Sequence, residues 1–476
     1  MNSNTTINAV AYASGMTDSA VGTASYTISG GGPAWYNSAW SSRKAVSIDH
    51  TKVMGGSDLT NFPLLFAVTD ASLKSAANGG GMGQPDGTDM LFTASDGVTK
   101  LNHEIETYNA STGQVLAWVQ IPTLSAASDT AIYVYYGNAG AANQQNAAAT
   151  WDSSFKTVWH FASGATLSGA DSTATANPGR IAGAVAAAGQ IGGGASFNGS
   201  ASVTANAGGV LAAHAWTVSL WIKRNAVVSI ANLFNLADAA GQPVGLCYWY
   251  GILLCQQGAP LAANTTQLAS PPGVGSWHLY SFTYDGSSAR MKIYVDGVDQ
   301  GAAGTGLYWT PYGTNQFALS YGLGGGWPAP MTVDEVRIAN LMRSPGWIAT
   351  EYNNQNSPGT FAVLGGGSQT SVAAPVFSPA AGVYTSAQTV TLTTTMSSPR
   401  SDPSSCRIWL FSSRAVAEMS MSSLEVCSIG NFFSAADREA TAPKSTKHAT
   451  GYCISSLPSW IIRQQGVDAW WRCGFS

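Results

Sequence analysis

Between residues 35 and 138 the chain is a series of short apolar or alternating runs, at 45–48, 62–68, 90–92, 115–121 and 132–136, each halted by Gly, Asn or Asp nearby. Such runs are too short for helices and carry the two-residue period of strands lying on a core. They predict a β-sandwich over this stretch. The same punctuation returns after residue 150. Asp285-Gly286 and Asp296-Gly297 stand between alternating segments, as hairpin turns do. Met291-Lys292-Ile293-Tyr294-Val295 alternates as a half-buried antiparallel strand should. Ser344-Pro345 offers an N-cap followed by proline at the first helical position, so one short helix is expected after the last strand. The fold class read from these patterns is all-β, in several β-sandwiches.

Composition narrows the function classes. Charged residues make up 10% of the 476, against about 25% in an average soluble domain. A net charge of −4 with no Lys/Arg cluster excludes the basic footprint that nucleic-acid binding needs. No apolar stretch reaches the ~18 residues of a membrane-spanning helix, so membrane insertion is not expected.

Two segments carry family resemblances. In residues 34–150 the pieces WYNSAWSSRKAVSI, LTNFPLLF, PDGTDMLFTASDG, HEIETY, GQVLAWVQIPTLS and DTAIYVYYGN follow one another and resemble a bacterial extracellular β-sandwich family of unknown function. In residues 151–365, VWHF, ASFNGSASV, AWTVSLWIKR, WHLYSFTYDG, ARMKIYVDGV and VDEVRIAN together resemble the laminin-G-like branch of the concanavalin A-like lectin/glucanase superfamily. That resemblance implies a jelly-roll of two antiparallel sheets. Residues 30–33, Gly-Gly-Gly-Pro, read as a linker.

The two flanks are similar to each other in kind. TTINAVAYASGMTDSAVGTASYTI within residues 1–29 resembles the closing strands of a chitobiase/β-hexosaminidase C-terminal-like module. APVFSPAAGVYTSAQTVTLTTT within residues 366–395 resembles the opening strands of another. The resemblance implies a window from a longer bacterial modular protein, secreted or displayed on the cell surface, with any leader peptide upstream. From residue 396 the pattern breaks: eight Lys/Arg follow Pro399, against thirteen in the residues before it. Residues 396–476 are read as out-of-frame or chimeric sequence, the alternative being a small domain with two disulfides.

Few residues offer chemistry. Glu104 and Glu106 lie two apart on an expected strand and share a face. Retaining glycosidases hold two carboxyl groups about 5–5.5 Å apart, yet the simpler reading of this pair is a solvated strand face. Asp334 and Glu335 are adjacent, and on a regular strand adjacent side chains point to opposite faces. The laminin-G-like resemblance implies calcium in some members, for which Asp334, Asp171 and Asp238 are the candidate oxygen ligands; no other cofactor is expected. His160 and His278 each adjoin a Trp and read as packed or edge residues rather than ligands. Cys247 and Cys255 flank YWYGILL, with Gly251 between them, and a hairpin there would bring them together as a disulfide. Tyr248–Tyr250 read as core on alternate positions.

Aromatic side chains are the stronger lead. Tyr308, Trp309, Tyr312 and Trp327 sit among Gly, Pro, Thr and Asn in LYWTPYGTNQ and GGGWPAP, which is loop composition. Rings presented from loops suit the apolar C–H faces of sugars. The expectation is therefore non-catalytic binding of a polysaccharide or glycoconjugate. A structural or adhesive spacer contacting protein or cell wall is the alternative, and a glycan-cleaving enzyme on the jelly-roll is the weaker one.

Overall fold

The computed structural model describes residues 33–161, 167–198, 201–206, 215–237, 243–250, 252–257, 265–285, 290–301, 316–320, 327 and 329–370, with the backbone of four further strands. Those four form two antiparallel pairs, Thr5–Ala9 with Gly22–Tyr26 and Val376–Ser378 with Thr391–Thr393. The chain divides into a compact unit, Gly30–Ser371, and a second one made of Met1–Ser29 and Val372–Ser476. Residues 396–476 lie outside the described residues.

Within Gly30–Ser371 the architecture is all-β, in two sandwiches. The first packs a six-stranded sheet on a three-stranded one. Its three-stranded sheet is made of Leu59–Thr69, Gln114–Leu124 and His103–Asn109, with the Gln114–Leu124 strand in the middle. Val115, Ala117, Val119 and Ile121 alternate inward to a core shared with Val46, Ile48, Phe66, Phe92 and Val134. The second sandwich is a jelly-roll of an eight-stranded and a seven-stranded sheet. Trp159, Trp216, Val218, Leu220, Phe234, Phe282, Ile293 and Phe317 fill its core. Met291, Ile293 and Val295 all enter that core, as their alternation predicts. Asp296 and Gly297 take φ of 52° and 78°, the left-handed pair required by a tight turn between Arg290–Val295 and Val298–Asp299.

Cys247 and Cys255 stand directly opposite each other on Pro243–Tyr250 and Ile252–Gln257 and are joined by a disulfide within the jelly-roll core. Trp249 is also buried there.

The expected junction near residue 150 falls inside a continuous core. Trp151, Phe155, Val158, Ile191, Ala339 and Trp347 pack into the same apolar cluster as the first sandwich. Ala362–Leu364 and Gln369–Thr370 return to pair with Ser42–Ile48 in the first sandwich's sheet. The helix Pro345–Asn356 begins where Ser344 accepts the Trp347 N–H at 3.1 Å. It docks on both sandwiches: Asn354 bonds the Leu65 N–H (2.7 Å) and carbonyl (3.1 Å), while Gln355 accepts from Trp221 Nε1 at 2.6 Å. The Leu59–Thr69 strand is an edge strand, so Asn354 satisfies backbone groups that would otherwise lack partners.

Candidate functional site: a buried ionic cluster between two sandwiches

On Gln114–Leu124 the residues that point away from the first core are Leu116, Trp118 and Gln120, and Trp118 lies opposite Glu104 on the neighbouring strand. Glu104 and Glu106 share that outer face. A register shift between Ile105 and Thr107 bulges the strand at Glu106 without turning its side chain back into the core. This face is not solvated, contrary to the simpler sequence reading. It is covered by the outer face of the jelly-roll's eight-stranded sheet.

The covering strand is Met331–Ala339. Met331, Val333, Val336 and Ile338 all enter the jelly-roll core, so the two residues between Val333 and Val336 both face outward. Glu335 adopts φ 52°, and the facing strand shifts register between Ser219 and Trp221. The expectation that Asp334 and Glu335 face opposite ways fails for this reason: a β-bulge places both on one side.

The two faces meet through His160. Its Nε2 lies 2.8 Å from Glu104 Oε1 and its Nδ1 lies 2.6 Å from Glu335 Oε1, with Glu106 Oε2 at 3.9 Å from Nδ1. The ring stacks on Trp118 with centroids 5.7 Å apart. Arg337 reaches Glu335 at 2.9 Å and Glu351 at 2.8 Å, and its guanidinium lies 4.2 Å from the Trp118 ring centre. Trp118 and Trp151 turn their indole N–H groups to Glu106 Oε2 (3.1 Å) and Glu104 Oε1 (2.7 Å). The sequence predicts a packed or edge residue at His160; the structure has it packed and buried, and in addition ion-paired to Glu104 and Glu335.

Charge is unevenly distributed here. Five carboxyl groups, on Glu104, Glu106, Asp334, Glu335 and Glu351, gather around His160 and Arg337, with Arg343 a third cation on the Glu351 side. Burial alone would lower the His160 pKa, but the Glu335 and Glu104 carboxylates outweigh it and hold the ring well above its usual range. Burial likewise opposes ionisation of Glu335, and there His160 and Arg337 win and lower its pKa. At Glu106 the compensation is too small: burial and then the Glu335 charge outweigh His160 and the Trp118 indole and push it to about 8. Asp334 is raised well above the carboxylate range by burial, then by Glu335 and Glu106. Glu106 and Asp334 are thus the acids of the cluster whose surroundings favour the protonated form.

Asp334 accepts the backbone N–H groups of Ile191 and Glu335, both at 2.8 Å. Asp171 accepts from the N–H groups of Val158, Thr173 and Asn177 and from the Thr173 hydroxyl, which organises its own loop. The structure does not bring these two candidates together in a converging group of acidic and histidine side chains among the described residues. Asp238 lies outside the described residues, as do Tyr308, Trp309 and Tyr312. Trp327 is described: the residue is 50% exposed, and its carbonyl accepts the Asn232 N–H at 2.7 Å. His278 pairs with Asp296 at 2.7 Å.

What the cluster can do chemically is limited by enclosure. The Glu104, Glu106 and Glu335 side chains are 9%, 0% and 0% exposed. The hollow beside it, lined by Thr217, Ser219, Arg337, Arg343 and Glu351, has room for about one water, not for a sugar ring.

Residues 197–349 match the family model described as the concanavalin A-like lectin/glucanases superfamily. The second sandwich is a concanavalin A-like jelly-roll. Residues 86–163 match a model described as a domain of unknown function (DUF2341), a span that crosses from the first sandwich to His160 and so includes Glu104 and Glu106. No curated protein matches the chain. Among solved structures, domain 4 of an extracellular arabinanase from Geobacillus stearothermophilus, in complex with arabinotriose, is 21% identical. The match covers 42% of this chain and 98% of that one, with a TM-score of 0.34. The binding domain of botulinum neurotoxin DC, in complex with a sialyl sugar, is 13% identical over 42% of this chain and 51% of that one, at a TM-score of 0.34. The chain therefore spans nearly all of the first and about half of the second.

Proposed function

We propose that the chain binds polysaccharide without cleaving it, as part of a secreted or surface-displayed bacterial modular protein, through loops of the concanavalin A-like sandwich. The observation that carries this reading is the enclosure of the acids. Glycoside hydrolysis needs two carboxyl groups facing bound sugar. The acids that converge here are instead buried between two sandwiches and spent on His160, Arg337 and two indoles. Trp327 supports the binding half of the proposal, because a half-exposed tryptophan suits a sugar's apolar face. Tyr308, Trp309 and Tyr312, outside the described residues, are the further candidates from their Gly-, Pro- and Thr-rich sequence context.

Binding of the full chain to a panel of plant, algal and bacterial polysaccharides tests this. Saturable binding is expected, weakened roughly 10-fold or more by Trp327→Ala or Trp309→Ala, as for loss of one stacking ring, with no new reducing ends released. Repeating the titration with calcium chelated measures any contribution of Ca²⁺. Release of reducing ends by the pure protein, abolished by a carboxylate substitution, would make it an enzyme. Binding to no glycan at all would favour the adhesive spacer.

A further inference from the structure

We propose that the end of the jelly-roll that carries Trp327 selects acidic polysaccharide, with Arg224 receiving the anionic group of a sugar. This rests on the binding role proposed above and adds the substrate class to it.

Arg224 ends the strand Ala215–Arg224 and continues the inward row of Leu220 and Ile222. Its guanidinium reaches the opposite sheet, where it lies 5.1 Å from the centre of the Trp249 ring. Nη1 donates to the Pro272 carbonyl at 3.0 Å. The side chain is half-buried. Among the described residues it forms no ion pair, whereas Arg337 and Arg343 each have a carboxylate. A guanidinium seated on an aromatic ring and steadied by one carbonyl keeps its other N–H donors for a planar oxyanion, with little rotamer freedom left to lose.

The surroundings favour an anion. The stretches that carry these residues, 223–235, 246–256, 268–280 and 327–333, contain no Asp or Glu, in a chain of net charge −4. Lys223 adds a second cation at the same strand end, on the outer face, 5.1 Å from the centre of the Trp277 ring. One acid of the same sheet, Asp296, is taken up by His278 at 2.7 Å and by the Leu279 N–H at 3.0 Å. A local excess of positive charge attracts an anionic ligand over a neutral one.

Two backbone hydrogen bonds bring Trp327 to this end. Its carbonyl accepts the Asn232 N–H at 2.7 Å, beside Ala231, which lies opposite Trp249. Three residues on, the Pro330 carbonyl accepts the Asn225 N–H at 2.8 Å, beside Arg224. Trp327 takes φ 62°, a left-handed backbone that bulky residues rarely adopt, and outliers of this kind cluster at ligand clamps. A uronic acid complements both features, with an apolar C–H face for the indole and a carboxylate for the guanidinium. A sulfate ester offers the same oxyanion chemistry.

The test uses the full chain in calcium-free buffer and compares polygalacturonate with its methyl-esterified form, which keeps the backbone and loses the charge. A sulfated galactan beside its desulfated form separates sulfate from carboxylate as the anion. At least ~10-fold tighter binding of a charged form than of its neutral counterpart is expected, as for one charge-assisted hydrogen bond, and the difference should shrink as salt rises. Arg224→Gln should bring charged and neutral forms to within about 2-fold of each other, while Trp327→Ala should weaken both alike. The wild-type comparison requires no variant, and Arg224→Lys, which keeps a cation beside Trp249, should keep most of the preference. Wild-type protein that binds charged and neutral forms equally, or binds only unrelated neutral glycans, overturns the acidic selectivity and leaves glycan binding standing. A preference that survives Arg224→Gln, or is lost equally with Lys223→Gln, also overturns it, because diffuse charge then accounts for the effect. Binding to no glycan at all overturns both readings.

Discussion

His103 and Glu104 are sequence neighbours on one strand, and alternation sends them to different environments. Glu104 enters the ionic cluster. His103 points into the first sandwich's own core, edge-on to Phe92 with ring centroids 5.2 Å apart, and neither ring nitrogen has a well-formed hydrogen bond. Burial, and then the charge of Lys100, lower its pKa from 6.5 to about 4, against smaller opposing pulls from the Leu101 and Met90 carbonyls and the Glu104 charge. The folded chain therefore refuses a proton that the unfolded chain accepts. Stability from this residue is fully present above pH 6.5 and is lost as pH falls toward 4. His103→Leu removes the penalty. The stability of the variant relative to wild type is expected to rise by roughly 3 kcal/mol between pH 7 and pH 4, at ~1.4 kcal/mol per pH unit. Urea unfolding of both proteins across that range checks it, and a pH-independent difference would count against a buried neutral imidazole. The HEIE pattern did show in sequence that Glu104 and Glu106 share a face. It could not show what covers that face, because His160 and Glu335 lie 56 and 231 positions beyond Glu104, well outside any local period.

At the scale of elements, the helix Pro345–Asn356 was legible from its cap, since Ser344-Pro345 encodes both the acceptor and the fixed φ of a first turn. Its docking was not legible, because an asparagine that pairs with a distant strand looks like any polar helix residue. Strict alternation does not predict the bulge at Asp334–Glu335. A signal was present, however: Val333 and Val336 are apolar with two acids between them, a spacing that a regular two-residue period cannot place on one face. Asn354 offers the test at this scale. It satisfies both the N–H and the carbonyl of Leu65 in a buried setting, and leaving each such group unpaired costs about 1–3 kcal/mol. Asn354→Ala should therefore destabilise the Gly30–Ser371 unit by about 2–5 kcal/mol and accelerate hydrogen exchange at the Leu65 amide. An unchanged exchange rate there would mean that the edge strand finds another partner.

For the Gly30–Ser371 unit as a whole, sequence boundaries and physical boundaries differ. Composition and pattern separate two sandwiches near residue 150, yet the chain crosses between them repeatedly. Val158 enters the core cluster of the first sandwich while Trp159, the next residue, enters that of the jelly-roll. Ala362–Leu364 and Gln369–Thr370 close the first sandwich's sheet only after the jelly-roll is complete. Arg43 then clamps both ends of the unit, donating to the carbonyls of Pro33 and Ala34 on entry and to Gln369 on exit. Separation would leave Glu335 and Arg337 facing water on one piece and Trp118, Glu104 and Glu106 on the other. It would also strip an edge strand from the first sandwich. Cohesion across a shared core and a buried ion network makes the two halves melt together. Calorimetry of the full chain is expected to show one transition for this unit. Residues 33–150 produced alone should melt at least ~10 °C lower or aggregate, as expected for the loss of several kcal/mol from a domain of that size. If the full chain instead shows two transitions, one of them coinciding with that of isolated residues 151–370, the sandwiches are independent and the ionic cluster contributes little to joining them.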